Sequence, residues 1–344
     1  IRPRRCDATL ACEPSAPEEA MTRILVTGAT GFVGRHLLDL LRSEPDLRIA
    51  GTSRHAFSLE WPERTVSTYV GDLTDRAFTD GMISEVRPDL VVHLAAQSSV
   101  SDSWQDPQAT LVNNLVAQLN VLRSLTVHAP RSRVLVTGSS QEYGAVAPHE
   151  LPLTEDAPLR PDSPYALSKV IQDFLGLQYF LGYGLGVIRV RAFNLIGPGQ
   201  GDRFAIPSFA RQIAEAEVGL RPRLIRVGNL EPRRDFTDVR DAVRAYWGLL
   251  RQGAVGEVYN VGGGSNRSIR DALDTLISLA RVPVDVQVDP ALLRPSDVPV
   301  VECDTHRLQS TLSWRPTISF EQSLRDILEE WRQKIADRSG QAGD

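Results

Sequence analysis

Short apolar runs alternate with longer segments of helical periodicity along most of the chain. Five runs of strand-forming residues predict buried strands at residues 24–27, 48–54, 69–73, 89–96 and 133–138. Apolar residues at helical spacing predict helices after the first strand and at residues 113–125, 206–217, 239–250 and 320–334. Strands and helices that alternate at this spacing are joined by right-handed crossovers. The pattern therefore predicts an α/β protein built on a parallel sheet.

This regular alternation loosens near residue 193, where a turn-rich loop at residues 194–201 follows the last long apolar run. The loosening predicts a second, smaller α/β domain laid over one edge of the sheet. We expect a larger, doubly wound domain over residues 21–193, to which later segments return. The smaller domain is expected mainly over residues 194–335, and residues 1–20, which precede Met21, are expected to be a disordered leader.

The first predicted strand runs into three glycines with the spacing GxxGxxG, Gly28, Gly31 and Gly34. Phe32 and Val33 begin the helical pattern that follows. Such a turn brings the backbone close to a pyrophosphate, and the helix N-terminus offers free N–H groups and the positive end of its dipole. An ordinary glycine-rich turn is the alternative, but the strand before it and the helix after it favour a dinucleotide site.

The ends of the next strands carry candidate cofactor contacts. Arg54 follows the second strand with no acidic residue beside it. An arginine at this place pairs with a 2′-phosphate, whereas an acid would bind a free 2′-hydroxyl, so NADPH is favoured and NADH stays possible. Asp72 is placed to bind the adenine edge, and the small Ala95 and Ala96 allow the cofactor to approach the backbone. Arg54 is equally compatible with an ordinary solvated charge.

Candidate chemistry follows the fifth strand. Tyr165 and Lys169 lie at positions i and i+4, on one face of a helix that Ser163 and Pro164 begin. An ammonium beside a phenol is expected to lower the pKa of the phenol from about 10 toward neutrality. Ser139, at the end of the strand, would add a hydrogen bond to the reacting carbonyl. A surface helix pair is the alternative interpretation of Tyr165 and Lys169.

Composition excludes several classes of function. The net charge of −5 argues against a nucleic-acid-binding surface, and no apolar run has the roughly 18–20 residues that a membrane span needs. Of the three cysteines, Cys6 and Cys12 lie in the leader and Cys303 is isolated. This usage predicts neither a disulfide framework nor a metal site and is typical of a cytoplasmic protein.

Taken together, these motifs resemble the extended short-chain dehydrogenase/reductase superfamily. The matching landmarks are residues 28–34, 93–96, 165–169, 194–199 and 234–239, and the resemblance covers about residues 22–331. It implies a Rossmann domain with a C-terminal nucleotide-sugar domain, and Ser139, Tyr165 and Lys169 as the catalytic set. It also implies that Tyr165 and Lys169 contact the cofactor, as do residues of the first two landmarks and the strand ends, including Leu73 and Leu94. A homodimer is common in this superfamily.

Three sequence segments, residues 97–104, 227–238 and 293–299, resemble those of the branch of the superfamily that acts on GDP-sugars. In the 4,6-dehydratases of that branch, a Glu two residues before Tyr-Gly supplies the base that removes the C5 proton. Gln141 stands at that position here, and an amide cannot serve as this base. Glu142 is one residue away, where a turn would point it elsewhere.

The resemblance therefore implies NADPH-dependent reduction of the 4-keto group of a GDP-linked 4-keto-6-deoxy sugar. A 4,6-dehydratase, a nucleotide-sugar 4-epimerase and a non-catalytic nucleotide sensor stay open as alternatives. The expected cationic partners of the diphosphate are Arg234 and Arg294. The remaining candidate substrate contacts are Ser99, Ser140, Gln141, Asn194 and Asp297.

Overall fold

The computed structural model describes residues 21–58, 60–61, 64–293 and 298–341. The predicted leader and two candidate substrate residues, Arg294 and Asp297, lie outside the described residues. The strands are β1 Thr22–Thr27, β2 Leu47–Ser53, β3 Glu60–Trp61, β4 Arg64–Val70, β5 Leu90–His93, β6 Arg133–Ser139, β7 Gly186–Ala192, β8 Asn194–Ile196, β9 Leu224–Val227, β10 Arg233–Asp238, β11 Val258–Val261, β12 Asn266–Ser268 and β13 Asp285–Val288. The helices are α1 Phe32–Arg42, α2 Arg76–Val86, α3 Val100–Gln105, α4 Pro107–His128, α5 Pro164–Tyr183, α6 Ala205–Glu217, α7 Val239–Gln252, α8 Ile269–Ser278, α9 His306–Leu312 and α10 Phe320–Gln341.

The main sheet has the strand order β11-β7-β6-β5-β1-β2-β4-β3. All of its neighbouring pairs are parallel except the short β3, which runs antiparallel to β4. Because chain order reverses between β1 and its neighbours β2 and β5, the carboxyl ends of these strands open into a crevice, where ligands of such sheets bind. The predicted doubly wound, parallel α/β fold is confirmed.

Two predicted strands end earlier than the apolar pattern indicates. The strand expected at residues 89–96 stops at His93, because the N–H groups of Leu94 and Ala95 donate to Thr27 Oγ1 and the chain turns into the crevice. The strand expected at residues 69–73 spans Arg64–Val70 instead. There, Gly71 starts a turn that leads to Asp75, whose side chain caps α2. Both differences bring polar backbone to the sheet edge where a ligand would lie.

A second, smaller core forms beside the main sheet. It joins α6, α8 and α10 to the short strand β9, with Ile213, Leu276 and Leu328 fully buried. The three-stranded sheet β12-β10-β8 lies beside this core, where β10 contacts α10 and β12 contacts α8, and its strands β8 and β10 also contact α7. Helix α7 and strand β11 return to the larger unit, where α7 packs on α1 and β11 pairs with β7. The domain boundary near residue 193 stays a prediction.

Within the described residues, no helix has both the length and the apolar character that crossing a bilayer requires.

Candidate active site

A cleft of about 1380 Å³ lies at the carboxyl edge of the main sheet, between the larger unit and the smaller core. This volume exceeds the roughly 300–1,000 Å³ of ordinary ligand pockets and leaves room for two nucleotides. Every described residue that the sequence nominates lines it: Gly28, Gly31, Phe32, Val33, Gly34, Arg54, Asp72, Leu73, Leu94, Ala95, Ala96, Ser99, Ser139, Ser140, Gln141, Tyr165, Lys169, Asn194 and Arg234. The fold thus brings into one cavity residues that are up to about 200 positions apart in the chain.

The glycine turn forms one end of the cleft. Gly28 has a φ of +69°, a conformation that L side chains rarely adopt. A Cβ on Gly34 would lie 2.3 Å from the carbonyl oxygen of Gly28, so only glycine allows this close packing of turn and helix. Gly31 precedes α1 without any side-chain cap, and the first turn of α1 contains no acidic residue. The N-terminus of α1 therefore presents backbone N–H groups that suit an anionic ligand.

Arg54 and Asp72 stand at the ends of β2 and β4 on the same side of the cleft. The Thr74 N–H and hydroxyl both donate to Asp72 Oδ1 at 2.8 Å, and the nearby positive charge of Arg54 adds to them. Together these contacts lower the pKa of Asp72 despite its partial burial. The loop after β2 has the sequence Ser53-Arg54-His55, with no carboxylate. The positive charge of Arg54 in this loop suits a ribose that carries a 2′-phosphate.

Tyr165 and Lys169 lie on the first turns of α5, which begins as predicted. Ser163 Oγ accepts the N–H of Ala166 at 3.1 Å, and Pro164 occupies the first helical position. Lys169 Nζ donates to the carbonyl oxygen of Thr137 at 2.9 Å, which ties the helix to β6. The same nitrogen is 5.9 Å from the centre of the Tyr165 ring.

The pKa of Tyr165 moves in the direction opposite to the predicted one. Burial raises it to about 12, although a hydrogen bond with Ser139 works against the rise. Burial also lowers the pKa of Lys169 to about 8. The expectation of a phenol pKa near neutrality is therefore wrong for this structure, because the effect of burial on the pKa is larger than that of the Ser139 hydrogen bond. The phenol is a protonated hydrogen-bond donor at neutral pH.

The segment after Ser139 separates two polar side chains that are neighbours in sequence. Residues Ser140–Tyr143 form a short 3₁₀ turn, and Ser140 and Gln141 line the cleft. Glu142 is fully buried on the other side of this turn and does not line the cleft. Its Oε1 accepts the N–H of Ser139 at 2.7 Å, as in a helix capping box. The side chains that this turn presents to the cleft are therefore the hydroxyl of Ser140 and the amide of Gln141.

Among the described residues that line the cleft, the carboxylates belong to Asp72 and Asp162. Asp72 stands on the Arg54 side, at the dinucleotide end. Asp162 is exposed and immediately precedes the Ser163 cap of α5. Neither residue occupies the turn that follows Ser139, where the resemblance places the base of a dehydratase.

The opposite wall of the cleft carries the candidate substrate contacts. Asn194 starts β8, and its Oδ1 is buried without a hydrogen-bond partner in the described part of the chain. Such an atom is suited to accept a hydrogen bond from a ligand. Arg234 reaches the cleft from β10, with Nη1 donating to the Val298 carbonyl at 2.6 Å. Ser99 caps α3 by accepting the N–H of Asp102 at 3.2 Å, so its hydroxyl is held at the cleft edge.

The cleft also contains residues that the sequence analysis did not name, among them Arg203, Trp104 and Tyr246. Arg203 follows the glycine-rich loop and lines the cleft, and its guanidinium lies 3.7 Å from Asp102 Oδ2 and 3.4 Å from Ser98 Oγ. Trp104 is largely exposed on α3, and Tyr246 reaches the cleft from α7. A cation beside a glycine-rich loop was a usable signal for Arg203. Tyr246 gave none, because its position in an amphipathic helix is also that of a core residue.

Comparisons with known proteins identify the relatives of the chain. A sequence profile of the family described as GDP-mannose 4,6 dehydratase matches residues 25–327. The chain is 37% identical over 313 residues to a GDP-6-deoxy-D-mannose reductase of Pseudomonas aeruginosa, covering 91% of this chain and 98% of the relative. It is 28% identical over 328 residues to GDP-mannose 4,6 dehydratase 2 of Arabidopsis thaliana, covering 89% of this chain and 86% of that protein.

A solved structure points to the same group. The structure of RMD from Pseudomonas aeruginosa complexed with NADPH matches with a TM-score of 0.80 and 35% sequence identity. The match covers 91% of this chain and 99% of that one. The similarity therefore extends over both the dinucleotide end and the substrate end of the cleft.

Proposed function

The chain belongs to the GDP-mannose 4,6-dehydratase family of extended short-chain dehydrogenases/reductases, and on this premise we propose that it is an NADPH-dependent ketone reductase. Its substrate is GDP-4-dehydro-6-deoxy-D-mannose, and its product is GDP-D-rhamnose. The reductase of Pseudomonas aeruginosa and its NADPH complex support this proposal.

The observation that carries the proposal is the arrangement of the turn after Ser139. Gln141 faces the cleft, while Glu142 is buried beneath the turn with its Oε1 bonded to the Ser139 amide. Reduction of a ketone needs a proton donor at oxygen but no base at the neighbouring carbon. The 4,6-dehydratase is the alternative, and it would require a carboxylate where Gln141 stands.

The dinucleotide end of the cleft fits NADPH. The N-terminus of α1, without a side-chain cap, suits the pyrophosphate, and Arg54 suits the 2′-phosphate. Phe32, Val33, Leu73, Leu94, Ala95 and Ala96 would line the path of the cofactor. The chemistry that NADPH supplies when bound is hydride transfer to the carbonyl carbon. Tyr165 and Lys169 would bind the nicotinamide ribose. NADH is a weaker alternative to NADPH as the cofactor.

The proton comes from Tyr165. Because burial raises the pKa of this phenol to about 12, the phenol is protonated at neutral pH and can donate to the developing alkoxide at O4. Ser139 bonds Tyr165 and would hold the same oxygen by a second hydrogen bond. Lys169, anchored on the Thr137 carbonyl, places its positive charge beside the phenol and stabilises the phenolate that forms.

The GDP-sugar would occupy the opposite wall. Arg234 would pair with the diphosphate, with Asn194 beside it. Ser99, Ser140 and Gln141 would contact the sugar. The proposed contributions of Arg294 and Asp297 rest on the family resemblance, since both lie outside the described residues.

We also propose that the protein is a homodimer. Leu167, Phe174 and Leu181 recur every seven residues on α5 and are 42%, 52% and 72% exposed. Val112 and Leu119 give the adjacent helix α4 a similar exposed apolar row. Two such helix pairs from two copies would bury these side chains in a four-helix interface related by a twofold axis.

A cytoplasmic location is proposed from the cysteine usage alone.

The experiment that tests the proposed function supplies GDP-4-dehydro-6-deoxy-D-mannose with NADPH or NADH and identifies the product by NMR. We expect one NADPH consumed per product, a slower reaction with NADH, and the C4 configuration of rhamnose rather than that of talose. A protein that leaves the keto sugar unreduced would refute the proposal.

A further inference from the structure

Glu142 is a fully buried acid that the reduction itself does not use. It lies directly beneath the turn that carries Ser139, Ser140 and Gln141 into the cleft. Its Oε1 accepts the N–H of Ser139 at 2.7 Å, and Ser139 Oγ in turn accepts the N–H of Gln141 at 3.2 Å. Both the backbone and the side chain of Ser139 are therefore held by this one turn.

Gly138 makes the contact possible. A Cβ at residue 138 would lie 2.2 Å from Glu142 Oε1, closer than real contacts allow. The carboxyl group thus passes through the space that the missing side chain of Gly138 leaves, and reaches the next amide in the chain. A glycine at the end of β6 and a glutamate four residues later fit each other as a pair.

The other carboxyl oxygen connects the turn to the catalytic helix. Glu142 Oε2 is 3.3 Å from Arg191 Nε, and both residues are buried. Arg191 Nε and Nη2 each lie 2.8 Å from Asp173 Oδ2. Asp173 stands on α5 one turn after Lys169, and it is also bonded to Arg189. A continuous set of buried contacts thus runs from the Ser139 amide to the helix that carries Lys169.

We propose that Glu142 is a positioning residue: its side-chain Oε1 holds the Ser139 amide and so fixes the Ser139 hydroxyl against Tyr165 and the substrate ketone. This inference rests on the proposed ketone reductase activity. It gives a role to the acid that stands one residue from the place of a dehydratase base. Here the acid holds the backbone amide of Ser139 instead of removing a proton from the sugar.

The protonation of Glu142 supports this role. Burial, together with the neighbouring Asp173 carboxyl, raises the pKa of Glu142 well above its ordinary range. A protonated carboxyl group accepts one hydrogen bond at its carbonyl oxygen and donates one from its hydroxyl, as an amide group does. Glutamine at residue 142 should therefore preserve the contact with Ser139 and donate to Asp173.

Two conservative variants separate the contact from the charge. Glu142→Gln keeps the reach and the acceptor, whereas Glu142→Asp keeps the acid but is one methylene too short. We expect kcat of Glu142→Gln to stay within about threefold of wild type, and kcat of Glu142→Asp to fall by about tenfold or more with KM nearly unchanged. Glu142→Met, whose thioether sulfur is only a weak acceptor, is expected to behave like Glu142→Asp. Glu217→Gln is the matched control, because the side chain of that acid is only 5% exposed and pairs with Arg332 in the smaller core, away from the Ser139 turn.

A double-mutant cycle distinguishes positioning from a general loss of structure. In a Ser139→Ala background, Glu142→Asp is expected to lower kcat by less than about twofold further, because the group that it positions is gone. An equal fold-loss in both backgrounds would overturn the proposal, as would an active Asp variant beside an inactive Gln variant. Amide hydrogen exchange at Ser139, expected to be faster in the Asp and Met variants alone, tests the contact without catalysis. A wild-type protein that reduces no ketone would refute the proposed function but leave this exchange measurement decisive for Glu142.

Discussion

Tyr165 is the side chain on which the proposed chemistry depends most directly. It is buried, bonded to Ser139 and about one helical turn from Lys169, and burial holds its pKa at about 12. Tyr165→Phe removes only the hydroxyl group, so the ring keeps its packing. We expect kcat to fall by about 10²–10⁴-fold, the usual contribution of a general acid. Fluorescence titration with NADPH is the control, and turnover equal to that of wild type would exclude Tyr165 as the proton donor.

Lys169 predicts how the activity depends on pH. Burial lowers its pKa to about 8, so the ammonium is present below that pH and is lost above it. Tyr165 stays protonated throughout this range because its pKa is about 12. We expect log kcat/KM to be flat between about pH 6 and 7 and to fall with a single limb near pH 8, since kcat/KM reports the free enzyme. The guanidinium of Lys169→Arg stays charged, so this variant should lose the limb; a limb that persists would assign it to another group.

At the level of residues, the sequence predicted which side chains meet but not their electrostatics. The sequence spacing was enough to predict that Tyr165 and Lys169 lie on one face of a helix. It was also enough to predict that Glu142 points away from the cleft. The direction of the Tyr165 pKa shift was wrong, because burial depends on elements far apart in the chain. Tyr246 was missed for the same reason, because its place in the cleft follows from tertiary packing, whereas the glycine-rich loop before Arg203 was a usable signal.

Helix α1 and the glycine turn form the element that makes the dinucleotide site. Gly34 and Gly81 are both helical glycines, but a Cβ on Gly34 would lie 2.3 Å from the Gly28 carbonyl, whereas one on Gly81 meets nothing within 4 Å. Gly34→Ala is expected to destabilise the protein by about 1–3 kcal/mol through overpacking and to weaken NADPH binding.

Gly81→Ala, in α2, serves as the matched control for this prediction. It is expected to raise stability by about 0.5–1 kcal/mol, because alanine has the better helix propensity and no steric conflict arises. Urea unfolding and NADPH titration measure both effects. Equal behaviour of the two variants would show that the close approach at Gly34 does not shape the turn.

Elements were predicted well where one periodicity dominates. The second and fifth predicted strands agree with β2 and β6 to within one residue, and the predicted helix at residues 206–217 agrees with α6. Strand ends at the cleft were missed because Thr27 Oγ1 bonds the backbone beyond His93, an interaction between two strands that local apolarity does not report. The short strand β8 arises where the pattern indicates a loop, because it pairs with β10, about 40 residues later.

At the scale of the whole molecule, the exposed apolar rows on α4 and α5 bear on assembly. Phe174→Asp places a charge in the middle of the α5 row, between Leu167 and Leu181. We expect the wild-type protein to sediment as a dimer and this variant as a monomer, because an interface core tolerates unpaired charge poorly. Val286→Asp, at an exposed valine on β13, is the control and should stay dimeric. Dissociation of both variants, or of neither, would argue against this surface as the interface.

The most direct test of the proposed chemistry is an NMR time course of the protein with GDP-mannose and NADP⁺, followed by addition of GDP-4-dehydro-6-deoxy-D-mannose and NADPH. With Gln141 in the cleft and Glu142 bonded beneath it, we expect GDP-mannose to remain unchanged in the first stage. In the second stage, the keto sugar should be reduced with one equivalent of NADPH. Conversion of GDP-mannose to a 4-keto-6-deoxy product would contradict the assignment, because it would show that a C5 base operates in this site.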